Sequence, residues 1–135
     1  MNMTRVVTSG SFDVLHPGHL NMLRQAKRYG DELIVIVARD ETIQKVKGKK
    51  PLIAEKKRLK YVKKLPMVDN AVLGDFDDPY KVIAELNPDV FCVGYDQKAF
   101  VPDLKAEIRK RNLKTRVEKL KPYRDERYKS SFLKD

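Results

Sequence analysis

Leu33-Ile34-Val35-Ile36-Val37 is apolar at every position, and a strand with no polar alternation is one buried on both of its faces. Val90-Phe91-Cys92-Val93 reads the same way. Two such strands require helices over both sides of their sheet, and that arrangement implies parallel pairing. Working outward, residues 5–8, 71–73 and 116–117 read as further short strands. Leu20, Leu23 and Ala26 recur at helical spacing and predict a helix over roughly 16–29, with Gly30 as its left-handed cap. Leu59, Val62 and Leu65 mark a second helix. Asp78-Pro79 caps and opens a third, carrying Val82, Ile83 and Leu86 inward and closed by Pro88; a fourth follows Pro102 with Leu104 and Ile108 inward. Strand and helix alternate throughout. The expected fold is α/β, a doubly wound, Rossmann-like parallel sheet of about five strands with its ligand site at their carboxyl ends. Residues 1–135 read as a single domain, without repeats or low-complexity linkers.

Charge is unevenly spread. Of the net +10, residues 1–44 contribute nothing, 45–64 contribute +9, 65–103 contribute −6 and 104–135 contribute +7. Two basic segments flanking an acidic one favour an anionic partner, against the plain alternative of a lysine-rich solvated surface. No apolar run exceeds the six residues 33–38, far short of the roughly 20 that a membrane-spanning helix needs. No membrane partner is expected. The only cysteine, Cys92, lies in an apolar run, and the start enters a strand without an apolar signal core. A cytoplasmic protein without disulfides or a cysteine metal site is expected.

The chemistry concentrates in Ser9-Gly-Ser-Phe-Asp-Val-Leu-His16-Pro-Gly-His19, between the first strand and the first helix. A doubly wound fold holds phosphate there, on backbone amides and the positive end of a helix dipole. His16 and His19 are neighbours if both lie in the first helical turn, and Gly18 between them has no side chain to keep a phosphate off the backbone. Imidazoles so placed can donate to phosphoryl oxygens as charge develops. The bland alternative is two histidines capping or packing a helix start. A zinc pair lacks a third ligand at suitable spacing. Neither G-x-G-x-x-G nor G-x-x-x-x-G-K-[ST] occurs, which removes the main support for a dehydrogenase or a P-loop protein.

Gly10-Ser-Phe-Asp-Val-Leu-His-Pro-Gly-His19 resembles the G-T-F-D-x-x-H-x-G-H signature of the cytidylyltransferase-like nucleotidyltransferases. Within that superfamily, Leu33-Ile-Val-Ile-Val-Ala-Arg-Asp40, Lys47-Gly-Lys-Lys-Pro51 and Gly94-Tyr-Asp-Gln97 are most similar to the archaeal FAD synthases, with glycerol-3-phosphate cytidylyltransferases the nearest rival. The resemblance implies that Ser11 and Phe12 help hold the nucleotide and that His16, Pro17, Gly18 and His19 form the phosphate turn. It implies that Lys47, in a basic loop, and Arg58, on the following helix, meet the triphosphate or the acceptor phosphate. Asp96 falls where the family contacts the nucleoside, and Tyr123 where relatives contact the base. Ser130 and Ser131 stand where family members carry an I-S-T-T-K-I-like segment with hydroxyls on the phosphates, although only four residues follow here.

The implied reaction is transfer of AMP from ATP to FMN, giving FAD and pyrophosphate. A divalent cation, Mg²⁺, would be carried by the nucleotide, with Asp13 a candidate to orient it. The rival uses CTP and a phospho-alcohol such as glycerol 3-phosphate. A non-catalytic basic module that binds RNA is disfavoured, because aromatic residues are not interleaved with the basic runs, so no nucleic-acid partner is expected. The resemblance also implies a homodimer.

Overall fold

The computed structural model describes residues 3–94 and 100–122, with the backbone alone at 100–101. Five parallel strands, β1 (Arg5–Gly10), β2 (Glu32–Val37), β3 (Asn70–Leu73), β4 (Val90–Val93) and β5 (Arg116–Lys119), form one sheet in the order β3-β2-β1-β4-β5. The chain winds outward from β1 through β2 to β3 and returns to β4 and β5 on the other side. This is the α/β Rossmann-like arrangement, and its order reverses beside β1 and β4. Helices α1 (Pro17–Lys27), α2 (Asp40–Lys47), α3 (Glu55–Lys63), α4 (Lys81–Leu86) and α5 (Phe100–Lys110) make the connections.

Alternate residues of the apolar strands feed two cores. Val6, Leu33, Val35, Val37, Val90 and Cys92 pack with Leu23 and Ala26 of α1 and Val62 of α3. Val7, Ile34, Ile36, Phe91 and Val93 pack on the opposite face with Ile83 of α4 and Leu104 and Ile108 of α5. A continuously apolar strand is the sequence form of that two-sided burial. Burial, with a smaller contribution from the charge of Glu118, pushes the Cys92 thiol up to about 12 against the opposing charge of Arg116, so it is neutral and inert at physiological pH. Thr8, also fully buried, donates its hydroxyl hydrogen to the Cys92 carbonyl at 2.7 Å and stitches β1 to β4.

At the amino edge an aspartate stands just before each of β2, β3 and β4 and grips the start of a neighbouring strand by two bonds. Asp69 donates its amide to Leu33 O (2.9 Å) and accepts the Leu33 amide on Oδ2 (2.8 Å). Asp89 does the same with Arg5, at 2.9 and 2.7 Å, and Asp31 with Thr4, at 2.9 and 2.8 Å. The hydrogen bond from Lys27 and the Leu33 amide hold Asp69 below the ordinary carboxylate range. For Asp89 the Arg5 amide contributes most, followed by Lys114. A carboxylate depressed in the folded state stabilises it fully above the unfolded value of about 3.9 and loses that contribution as pH falls through the folded value. Urea midpoints are therefore expected to hold level from about pH 7 to 5 and to fall below about pH 4. A midpoint that stays level down to about pH 3 would show that these grips do not stabilise the fold.

Four local expectations change, the first being that α5 begins at Phe100 and holds Pro102 within its first turn rather than following it. α2 has no counterpart among the helices expected from the sequence; it occupies part of the stretch that reads as a basic loop, with Gly48 in the left-handed conformation (φ 78°) as its cap. Gly30 is not a left-handed cap, since among the described glycines only Gly48 has positive φ. It is required because a Cβ there would sit 2.6 Å from Thr4 O and 2.7 Å from a Val6 methyl. Asp78 accepts the Tyr80 amide (2.9 Å), so Asp78-Pro79 is a turn ahead of α4 and Pro79 lies outside the helix.

Candidate active site

β1 ends at the point where the sheet order reverses, and the turn from Ser11 to His16 carries the chain into α1. Phe12 takes a positive φ of 52°, uncommon for a non-glycine residue, and this turns its ring into the core, where it is 2 % exposed. Its ring centroid lies 5.4 Å from that of His19, tilted by 59°. His19 in turn stacks on His16, centroids 3.8 Å apart and planes 25° from parallel. A file of three rings thus runs from the hydrophobic core outward to the exposed His16. The Phe12 side chain, expected at the nucleotide, is placed by this structure as a core ring that supports His19.

His16 is the N-cap of α1, with extended backbone (φ −143°, ψ 170°), and its Nδ1 accepts the Gly18 amide at 3.1 Å. An imidazole nitrogen that accepts carries no proton, so the neutral ring holds its hydrogen on Nε2. Capping, the bland alternative, is therefore present but occupies only Nδ1. The other nitrogen remains a donor on an exposed side chain. A Cβ at Gly18 would lie 2.8 Å from His16 Cε1, so glycine is needed for the ring to close over the helix start. Pro17 fills the first helical position, where its missing N–H leaves no bond unmade.

The segment from α2 to the start of α3 rises beside this turn. Asp13 accepts the amides of Leu52 on Oδ2 (2.9 Å) and Ile53 on Oδ1 (2.8 Å). Desolvation acts to raise its pKa, but those two amides, with the charges of Arg58 and Lys47, outweigh it and hold the carboxyl below its ordinary value. Asp13 is thus a clasp between two loops, with one amide on each of its oxygens. Among the described residues no three His, Cys, Asp or Glu side chains converge as a metal group. Glu55 joins the two helix starts by accepting the Asp40 amide (2.9 Å) and Arg39 Nη1 (3.0 Å).

Lys47 is the last residue of α2, exposed, and close enough for its charge to act on Asp13. Arg58 is different. It is fully buried, donating through Nε to Ile53 O (2.8 Å), through Nη1 to Ser11 O and Ala38 O (both 2.7 Å), and through Nη2 to Asp40 Oδ1 (2.6 Å). Expected at a phosphate, its guanidinium is placed by this structure where it ties the His turn, the end of β2, the start of α2 and the 48–54 loop together, with no exposed surface.

The structure thus gathers Ser11, His16, Pro17, Gly18 and His19 at one turn, with Lys47 beside it. Asp96, Tyr123, Ser130 and Ser131 lie outside the described residues. Sequence reasoning missed Glu55, Asp13's clasp and Gln25. Gln25 pairs with Lys121 through both its amide nitrogen (2.8 Å) and its oxygen (2.9 Å), fastening the chain beyond β5 to α1. No local pattern announces such a side-chain to backbone pair across the sequence.

With this geometry in place, comparison with known proteins is informative. The cytidylyltransferase-like family model matches residues 7–134. The FAD synthase of Aciduliprofundum boonei is 47 % identical over 123 residues, 91 % of this chain and 82 % of that protein. That of Archaeoglobus profundus is 47 % identical over 129 residues, 96 % of this chain and 82 % of that protein. Among solved structures, a lipopolysaccharide core biosynthesis protein from Thermoplasma volcanium aligns with a TM-score of 0.84 at 38 % identity, covering 90 % of this chain and 99 % of that one. A pantothenate synthetase from Thermus thermophilus aligns with a TM-score of 0.64 at 15 % identity, 93 % of this chain and 58 % of that one, a likeness of fold alone.

Proposed function

This chain belongs to the cytidylyltransferase-like family, and from that premise we infer that it is a nucleotidyltransferase joining AMP from ATP to FMN. A phosphate oxygen of FMN attacks the α-phosphorus of ATP; the new P–O bond forms as the bond to the bridging oxygen breaks, and pyrophosphate leaves with that electron pair. FAD is the other product. The observation that carries the choice of substrates is the near-half identity to FAD synthases along most of the chain. The choice of reaction type is supported by the stacked histidines at the start of α1.

In this reading the triphosphate lies over the amino end of α1, where the helix dipole favours anions. His16 donates Nε2–H to a non-bridging oxygen of the α-phosphate, and His19, backed by Phe12, holds the His16 ring and adds a second imidazole. Ser11 and Gly18 bring backbone close to the nucleotide, and Lys47 meets a phosphate from α2. Asp96 on the nucleoside, Tyr123 on the base, and the hydroxyls of Ser130 and Ser131 on the phosphates complete the site, a proposal resting on the family resemblance. Arg58 acts as a positioning residue. Mg²⁺ enters as part of the ATP substrate, easing the repulsion between two anionic reactants, and the chain's own task is alignment and electrostatic stabilisation. Residues 1–135 working as one domain, assembly as a homodimer and a cytoplasmic setting belong to the same proposal. A lone, buried cysteine fits the last of these, and no helix among the described residues is long and apolar enough to cross a membrane.

Incubation of the purified protein with ATP, FMN and Mg²⁺ is expected to yield FAD and pyrophosphate, read by chromatography. Ready formation of CDP-glycerol from CTP and glycerol 3-phosphate, with no FAD, would replace this reading by the cytidylyltransferase one.

A further inference from the structure

Two large apolar side chains stand exposed beside the His turn: Val14, 52 % exposed, within the turn itself, and Leu52, 84 % exposed, at the tip of the loop that Asp13 clasps. They lie on adjoining segments, because Asp13, next to Val14 in the chain, accepts the amide of Leu52 itself at 2.9 Å. That bond holds the Leu52 backbone against the His turn while its side chain stays exposed. Exposed leucine on a loop is unremarkable alone, but here the same loop carries Lys49 and Lys50 just before it, and Lys47 closes α2. None of the three lysines is in a salt bridge among the described residues. An apolar surface edged by uncommitted cations fits a ligand with a flat apolar body and an anionic end. Two side chains offer far less than the roughly 800 Å² per partner that a stable protein interface needs, which argues for a small molecule over a protein.

We propose that Val14 and Leu52 form the platform that receives the isoalloxazine ring of FMN, with Lys47, Lys49 and Lys50 drawing its phosphate towards the His turn, so that these two apolar residues select a flavin over a ringless phosphate ester. The proposal rests on the FMN reading above and adds to it the residues that distinguish the acceptor. Because the ring rather than the phosphate is what a small phospho-alcohol lacks, the platform acts on acceptor choice and leaves the chemistry at phosphorus untouched.

The test uses the full chain and the variants Leu52→Ser, Val14→Ser and Leu52→Phe. Equilibrium binding of FMN is followed by its own fluorescence, and steady-state kinetics are measured with FMN and ATP varied in turn. Each serine variant is expected to weaken FMN binding and raise KM for FMN about tenfold, the scale of one lost apolar contact. KM for ATP, and binding of glycerol 3-phosphate as a competitor, should stay within about twofold, while Leu52→Phe retains or tightens FMN binding. Both side chains are exposed, so the variants should keep the wild-type melting temperature, which a thermal melt checks. A wild type that neither binds FMN nor makes FAD overturns the reaction reading and the platform with it. An active wild type whose serine variants keep their FMN affinity overturns the platform alone. So does an equal loss for FMN and glycerol 3-phosphate, or a Leu52→Phe variant as weak as Leu52→Ser.

Discussion

Replacing His16 or His19 by alanine is expected to lower kcat by roughly 10²–10³, the loss typical of removing one donor from a site where negative charge develops. KM for ATP should change little if the donors act mainly in the transition state. His16 combines one observed bond with one proposed one. Its Nδ1 accepts the Gly18 amide and so caps α1, whereas Nε2–H is the group assigned to phosphate. Alanine removes both, and the lost cap should cost about 1 kcal/mol of stability besides the loss of rate. Asparagine is among the best N-cap residues but lacks a donor in the place of Nε2. His16→Asn should therefore melt near the wild-type temperature while remaining as slow as His16→Ala. If His16→Asn is instead fully active, the imidazole is only a cap and the donor role falls.

The second large effect is on stability. Arg58→Ala should destabilise the fold by about 3–5 kcal/mol, the scale of removing one partner of a buried charged network. The carbonyls of Ser11, Ala38 and Ile53 and the Asp40 carboxylate would lose a shared donor at once. Lysine is no substitute, since a single ammonium cannot reach acceptors placed around a planar fork. Lys60→Ala, on the exposed side of α3, should stay within about 0.5 kcal/mol of wild type. Denaturant unfolding measures all three. An Arg58→Ala protein as stable as the Lys60 variant, yet impaired in kcat/KM, would return Arg58 to the substrate.

Most of the fold is legible in the chain because the strands are short, apolar and regularly separated. Val90-Phe91-Cys92-Val93 needs no partner to be recognised as an interior strand, and the interior is where it lies, every residue 1 % exposed or less. α2 is illegible by the same criterion, since it buries only Ile43 and leaves Val46 79 % exposed, so no apolar stripe marks it. Its signals are electrostatic: Asp40 and Glu41 in the first turn, Lys45 and Lys47 in the last, then Gly48. The His turn announces itself because two histidines flank a glycine within four residues, but nothing in the sequence shows that His16 Nδ1 is taken up by the Gly18 amide at 3.1 Å. Arg58 is hidden for a related reason. Among ten basic residues in twenty positions nothing local marks the one that turns inward, because its acceptors come from segments 5 to 47 residues away.

The aspartate grips at the amino edge bear on accuracy at the opposite end of the sheet. A parallel strand can in principle slide along its neighbour, and a slip of one residue exchanges its two faces. Each grip combines a main-chain bond and a carboxylate bond to the same residue, and a slipped strand could keep neither. Asp89 fixes β4 against β1, and Asp69 fixes β3 against β2. Every position counted upward from these fixed starts, through the six residues of β1 to Gly10, inherits its height from them. The grips act as a datum line, so that the turn leaving β1, roughly 20 Å up an extended strand, carries the two histidines of α1 at a level decided at the far edge of the sheet.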